Sequence, residues 1–339
     1  MEGTSTPSRA AMAELQAGAA CFRLKNYEDA KAHYEKAIAL APNTAEAHYN
    51  LGVLFLDNHQ FPEAAKSFEE ANRLNPALPR AHFYLGFVYW QMRQAARAVD
   101  EYELAQVSAP PFVELLNNLG FAYLDLKRFD AAETAFQRAL QLKADYAESL
   151  AGLCVVESAL ARLNEAVDSC RRAAVSNASS SNIQFLLGSA YLAVGEYRRA
   201  LAPLQTASAL APAEPRILSA MGVAHWRLAQ YDDALSDFSA AATATPDFAE
   251  AYAGIGASYY MLNRFSEAHQ AFQKAIALNP ESSVAHFNLA VTCMRQNVRE
   301  CALEQYDVLK SLAPDLSESL FGNLFPNRVL DARTVSKRR

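Results

Sequence analysis

The stretch AEAHYNLGVLFLDNHQFPEAAKSFEEANRLNP, from Ala45 to Pro76, decides the fold. Leu51, Gly52 and Phe55 share one stripe of a first helical pattern, and Ala64, Phe68 and Ala71 share one stripe of a second, so each helix is apolar on a single face. His59 and Gln60 fall in the polar break between them. Pro62 stands where the second helix should begin, with a pre-set φ and no amide hydrogen to leave unpaired, and Pro76 ends the unit. The stretch predicts a helical hairpin.

The chain rewrites this hairpin at an unchanging interval of 34 residues. The small residue of the first helix recurs as Gly18, Gly52, Gly86, Gly120, Gly188, Gly222 and Gly256, with Cys154 and Ala290 in the two remaining slots. The second helix carries Ala30, Ala64, Ala98, Ala132, Ala166, Ala200, Ala234, Ala268 and Ala302. Four positions later stand Tyr34, Phe68, Tyr102, Phe136, Cys170, Leu204, Phe238, Phe272 and Tyr306, and a closing proline recurs as Pro42, Pro76, Pro110, Pro212, Pro246, Pro280 and Pro314. Gly or Ala lets two helix backbones approach, the aromatic ring fills the space beside them, and proline stops the helix.

These residues resemble the tetratricopeptide repeat family. The resemblance implies an all-α fold, a right-handed α-solenoid of nine helix pairs, with repeats at 11–44, 45–78, 79–112, 113–146, 147–180, 181–214, 215–248, 249–282 and 283–316. A loose tail over 1–10, a capping helix over 317–326 and a basic tail over 327–339 complete the expected layout; Leu316, Leu320, Phe321 and Leu324 give the cap its helical spacing. The chain departs from the family at the fourth slot of the repeat, where the usual aromatic or leucine becomes Glu14, His48, His82, Gln184 or His286 in five of the nine copies. Repeat five is the degenerate one: Cys154 replaces the glycine, Glu157 the usual tyrosine and Cys170 the aromatic, and it runs into the turn-forming NASSSN of Asn177–Asn182. Pro203 falls inside the second helix of the next repeat and is expected to kink it.

Composition excludes several function classes. A 339-residue chain is long for one compact core, but a solenoid escapes the limit because each repeat buries itself against its neighbours. The formal net charge of −6 repels phosphate backbones and anionic membrane surfaces, so nucleic acid is a poor partner and no membrane association is expected. No secretory leader and no membrane-length apolar run is legible. Five cysteines without CxxC spacing read as a reduced, cytoplasmic protein with no disulfide, Cys154 and Cys170 serving as buried small hydrophobes.

The sequence offers no catalytic chemistry: no phosphate-binding glycine loop, no GxSxG elbow, no HExxH and no paired Cys/His ligand set. No catalytic residue, cofactor or metal is therefore expected. His48, His82 and His286 occupy one slot in different repeats, too far apart for joint ligation, and read as packing residues.

The family resemblance implies that the first helix of each pair lines a concave groove and that its second, fifth, ninth, twelfth and thirteenth positions reach a ligand. Those slots give the candidate peptide-binding residues Tyr49, Arg80, Phe83, Phe87, Trp90, Asn117, Phe121 and Asp125 in repeats two to four, and Trp226, Arg227, Tyr260 and Arg295 in repeats seven to nine. Large apolar groups on such a face mark partner sites, or else pack against the next repeat and thicken the core. Charges on the face are sorted, acidic at Glu46, Asp57, Glu114, Asp125 and Glu148 against one Arg80 in repeats two to five, and basic at Arg216, Arg227 and Arg295 against one Glu250 in repeats seven to nine. The expected function is a non-enzymatic scaffold or adaptor that holds a peptide segment of a protein partner, chiefly at repeats two to four; self-association is left open. The alternatives are the recruiting subunit of a separate enzyme, such as a glycosyltransferase, and, more weakly, nucleic-acid binding.

Overall fold

The structure is a computed structural model that describes residues 8–108 and 110–324. Its described residues form helices only. Ten helices build a first compact unit that ends at Ser176: α1 (Arg9–Arg23), α2 (Tyr27–Leu40), α3 (Ala45–Asp57), α4 (Phe61–Leu74), α5 (Pro79–Gln91), α6 (Ala95–Ser108), α7 (Val113–Asp125), α8 (Phe129–Leu142), α9 (Ala147–Ala159) and α10 (Leu163–Ser176). Nine more build a second unit from Asn177 onward: α11 (Ser181–Ala193), α12 (Tyr197–Leu210), α13 (Pro215–Arg227), α14 (Tyr231–Ala244), α15 (Ala249–Met261), α16 (Phe265–Leu278), α17 (Ser283–Arg295), α18 (Arg299–Leu312) and α19 (Pro314–Leu324). Within each unit every odd helix up to α17 pairs with the even helix that follows it, and the odd helices also touch one another in order, so they form one layer and the even helices the other; α19 packs on α18 and α17.

The pairing residues are those the 34-residue period picks out. A Cβ on Gly52 would stand 2.8 Å from the Phe68 ring, and one on Gly120 2.6 Å from Phe136, so only glycine lets the first helix lie against the aromatic of the second. Phe68, Tyr102, Phe136 and Phe272 are all fully buried. Truncating one to alanine removes both the burial and the packing, a loss of about 3–5 kcal/mol. In repeat five the same two slots hold Cys154 and Cys170, whose Cα atoms lie 5.3 Å apart.

Each first helix ends in the same way. The amide of Lys25 donates to Phe22 O and that of Asn26 to Cys21 O, the bond pair that closes a helix through one residue of left-handed backbone. That residue is Lys25, His59, Arg93, Lys127, Ala161, Gly195, Ala229, Asn263 or Asn297, with φ between 56° and 80°, and Gly195 is the one glycine of the nine.

Several expectations change. Residues 9 and 10 belong to α1, capped by the Ser8 hydroxyl, which accepts from the Ala11 amide; residues 1–7 of the expected tail lie outside the described residues. The capping helix begins at Pro314 rather than at 317, because proline suits the first turn of a helix, whose amides have no partner to lose. Residues 325–326 of the expected cap and the basic tail over 327–339 lie outside the described residues. The helix α12 spans Tyr197–Leu210 with the buried Pro203 inside it, so the sequence places this proline in the helix interior correctly. Asn177–Ser180 do form a turn, and Ser180 caps α11 by accepting from the Ile183 amide.

The expectation of no disulfide is corrected: Cys154 is bonded to Cys170 and Cys293 to Cys301, while Cys21 is free. Both pairs link the two helices of one hairpin, with Cα separations of 5.3 and 6.0 Å, inside the range that a disulfide spans without backbone movement. Two bonded pairs remove the ground on which cysteine usage pointed to a reducing compartment. No helix among the described residues is long and apolar enough to cross a membrane.

Candidate functional site

In the second unit the odd-helix face opens into a cavity of about 600 Å³ between α13, α15 and α17. Trp226 and Tyr260 stand at its sides, Phe238 and Phe272 of the even layer form part of its lining, and Arg227, Glu250 and Asn288 supply its polar groups. Its origin is legible residue by residue. The fifth, sixth and ninth slots hold Phe83, Tyr84 and Phe87 in repeat three, but Ser219, Ala220 and Val223 in repeat seven and Ala253, Gly254 and Ala257 in repeat eight. Small side chains thus leave empty the volume that aromatic rings occupy in repeat three. Gly254 matters most here, since a Cβ on it would stand 2.5 Å from the Phe238 ring.

Trp226, Arg227 and Tyr260, all proposed from the sequence, are brought together at this cavity. Arg227 lies over the Trp226 ring at 5.6 Å. Arg295 stands beside them and donates from Nε to the Tyr260 hydroxyl at 3.1 Å. The indole N–H of Trp226 is buried and has no hydrogen-bond partner among the described residues. Sequence reading missed Val223, Ala253, Gly254, Ala257 and Val284, because it scored slots for large side chains. The signal was the run of small residues flanked by Trp226 and Tyr260.

In the first unit, Tyr49, Arg80 and Phe83 line a second cavity of about 970 Å³ together with Tyr84, Phe112 and Glu114. Phe83 is half-buried, its ring 5.0 Å from Phe112 and 5.2 Å from Tyr84. Burial, reinforced by the neighbouring Tyr84 hydroxyl, pushes the Tyr49 phenol up to about 12, so it stays a neutral donor at physiological pH. Phe87, Trp90 and Phe121 lie apart from this cavity in a ladder of rings, Phe87 to Trp90 at 6.3 Å, Trp90 to Phe121 at 6.5 Å and Phe121 to the buried Phe136 at 5.0 Å. Asp125 is exposed and accepts from Trp90 Nε1 at 2.7 Å. Asn117 is corrected: it is buried between α7 and α9, accepting from the Ser149 hydroxyl at 2.9 Å, and cannot reach a ligand.

The fourth-slot polar residues have a structural role. His48, His82 and His286 each direct Nε2 at the carbonyl of the proline six residues earlier, Pro42, Pro76 and Pro280, at 3.0, 3.2 and 3.0 Å. Gln184 does the same to Ala178 O at 3.1 Å. Each satisfies a loop carbonyl that would otherwise face the next helix unpaired.

The absence of a paired Cys/His set is also corrected. His269 of α16, Cys293 of α17 and Cys301 of α18 place their donor atoms within 4.8 Å of one another. The period explains the two cysteines: their slots face each other across the hairpin, and in repeats three and six the same slots hold Tyr89 with Arg97 and Tyr191 with Arg199, stacked at 3.9 and 4.5 Å.

Comparison with known proteins agrees with the geometry. A family model described as TPR repeat matches residues 18–59 and 54–92, and models described as Tetratricopeptide repeat match 113–146, 185–247, 219–283 and 255–316. No curated protein matches the chain. Among solved structures it is similar to a chain of the APC/C hetero-tetramer Cut9–Hcn1, at 13% identity over 93% of this chain and 84% of that one, with a TM-score of 0.57. It is similar to pilF of Pseudomonas aeruginosa at 18% identity, over 62% of this chain and 96% of that one, with a TM-score of 0.55. It is also similar to a tetratricopeptide repeat protein from Parabacteroides merdae at 14% identity, over 74% of this chain and 99% of that one, with a TM-score of 0.58. At these identities the likeness is one of fold. With matched repeats over well more than half its length, and the hairpin architecture to go with them, the chain belongs to the tetratricopeptide repeat family.

Proposed function

We propose that this chain is a non-enzymatic scaffold that binds a peptide segment of a protein partner on the odd-helix face of its second unit, with an apolar side chain of the peptide seated in the cavity between Trp226 and Tyr260. Proteins of this fold generally mediate protein–protein interactions, which supports the class. The observation that carries the reading is the cavity itself: an apolar pocket of about 600 Å³, lined by Ala253, Gly254 and Ala257 in the slots where repeat three carries Phe83, Tyr84 and Phe87. Such a concave apolar site with a few polar groups at its rim suits a buried anchor residue. Arg227 and Glu250 flank it with opposite charges and would set the orientation of the bound segment more than its affinity.

Panning a random-peptide display library against the full chain tests the reading. Selected sequences should share a large apolar anchor. Their binding should fall by about 30-fold or more in Ala253→Phe, which fills the cavity, and in Trp226→Ala, since truncating a central anchor costs about 2 kcal/mol or more. Peptides without an apolar consensus, or affinity unchanged in an Ala253→Phe variant of native helicity, would contradict it.

A further inference from the structure

We propose that Cys293 and Cys301, once reduced, close with His269 on a thiophilic divalent ion of the zinc class, so that one pair of cysteines serves either as a disulfide or as a metal thiolate. The three donors come from three helices, α16, α17 and α18, and lie within 4.8 Å of one another. His269 Nδ1 is 3.5 Å from Cys293 Sγ, the edge length expected of a tetrahedron with metal–sulfur and metal–nitrogen bonds of about 2.3 and 2.0 Å. Cys293 is fully buried, whereas His269 and Cys301 are half-buried, so the site has a dry wall and an entry side. The other bonded pair, Cys154 and Cys170, belongs to no such donor group among the described residues.

The donor set selects the ion. Two thiolates and an imidazole favour zinc-class or softer ions and disfavour calcium and magnesium, which take oxygen ligands. Three protein ligands leave a fourth position for water. In the disulfide form His269 Nδ1 lies 3.2 Å from Gln296 Oε1, an acceptor, so the ring proton sits on Nδ1 and moves to Nε2 when Nδ1 turns its lone pair to the ion. The chemistry balances in two steps. Two thiol equivalents of the glutathione class reduce the Cys293–Cys301 bond, giving two protein thiols and one small-molecule disulfide. The ion then displaces the two thiol protons to solvent, and neutral His269 donates a ring lone pair, so two thiolates offset the ion's charge.

The two states tie different elements together. The disulfide links only α17 to α18, both in repeat nine, while the ion adds α16 of repeat eight. In a solenoid, stability is a sum of neighbour terms, so a link between repeats strengthens an interface that the disulfide leaves alone.

The test uses the full chain reduced with a phosphine, with Co²⁺ as spectroscopic probe and Zn²⁺ affinity measured by competition with a chromophoric chelator. One ion per chain is expected, with thiolate-to-cobalt charge transfer of two-thiolate intensity and tetrahedral ligand-field bands; the oxidised protein should bind none. Cys301→Ser and His269→Ala should each weaken Zn²⁺ by more than the roughly 10–100-fold that losing an outer partner costs. The cobalt spectrum of the unaltered protein reads the ligand set even if a variant fails to fold. An octahedral, thiolate-free spectrum, no stoichiometric binding, or binding that survives Cys301→Ser and is lost in Cys154→Ser would overturn the proposal.

Discussion

The indole N–H of Trp90 donates to the Asp125 carboxylate at 2.7 Å, whereas Trp226, in the same slot four repeats later, has Met261 where Asp125 stands and no partner for its indole. Asp125 is therefore a clamp on an aromatic ladder as well as a surface charge. Asp125→Ala should lower stability by about 1 kcal/mol, the value of one hydrogen bond on a half-exposed group, and shift the emission of Trp90. Chemical denaturation followed by fluorescence in a Trp226→Phe background checks both; an unchanged midpoint and spectrum would show that the pair is not held in solution.

The left-handed residue that ends each first helix makes a prediction of opposite sign at two sites. Ala229 sits at φ 60° and Gly195 at φ 80° in equivalent positions. A Cβ on Gly195 would meet nothing closer than 3.8 Å, so the difference is conformational and not steric crowding. Ala229→Gly should stabilise the chain and Gly195→Ala destabilise it, each by about 1 kcal/mol. Thermal denaturation of the two variants decides it, and a shift in the same direction for both would refute the assignment.

Glu157 occupies the slot that holds Tyr89, Tyr123, Tyr191 and Tyr259 in four other repeats, and it is buried with Oε2 lacking a hydrogen-bond partner among the described residues. Burial raises its pKa above the usual carboxylate value of 4.5, more than the Ser169 hydroxyl and Arg162 lower it. The folded state therefore holds the proton more tightly than the unfolded one. This contribution to stability is fully present below 4.5 and is lost as pH rises from there through the raised folded value. Glu157→Gln should remove that fall and stabilise the protein at neutral pH by on the order of 1 kcal/mol. Denaturation midpoints of both proteins across the acid range test it; parallel pH profiles would count against it.

The turn at Asn177–Ser180 lies where the chain divides into its two compact units. Hydrogen exchange should be fast there. In the oxidised protein the Cys154–Cys170 bond ties α9 to α10, so protection should hold over 154–170 and fall only after reduction. Uniform protection from 140 to 200 in both redox states would contradict this.

Much of this was legible beforehand, for a physical reason. Gly52 against Phe68, repeated down the chain, is a contact between fixed slots, and a 34-residue period exposes such contacts without any structure. The cavity was harder, because it is made of what is missing: Ala253 and Ala257 look like ordinary helix formers until Phe83 and Phe87 in the same slots of repeat three are set beside them. Asn117 misled because its slot faces the ligand side in the family, while here Ser149 on the next first helix offers it a buried partner. The facing slots of Cys154 and Cys170 were legible, but buried thiols pack as well as a bonded pair and the sequence does not separate the two; Cys293 and Cys301 carry no CxxC signature and were not paired at all.

The central claim, a peptide anchor seated between Trp226 and Tyr260, is tested most directly by site-specific photo-crosslinking with a panned peptide. A photoreactive side chain at Val284, which is exposed and lines the cavity, should capture the peptide, and one at Thr243, exposed on the even-helix layer, should not. Capture at Val284 that disappears in Ala253→Phe is the result this account predicts. Equal capture at both positions, or capture at Thr243 alone, would contradict it.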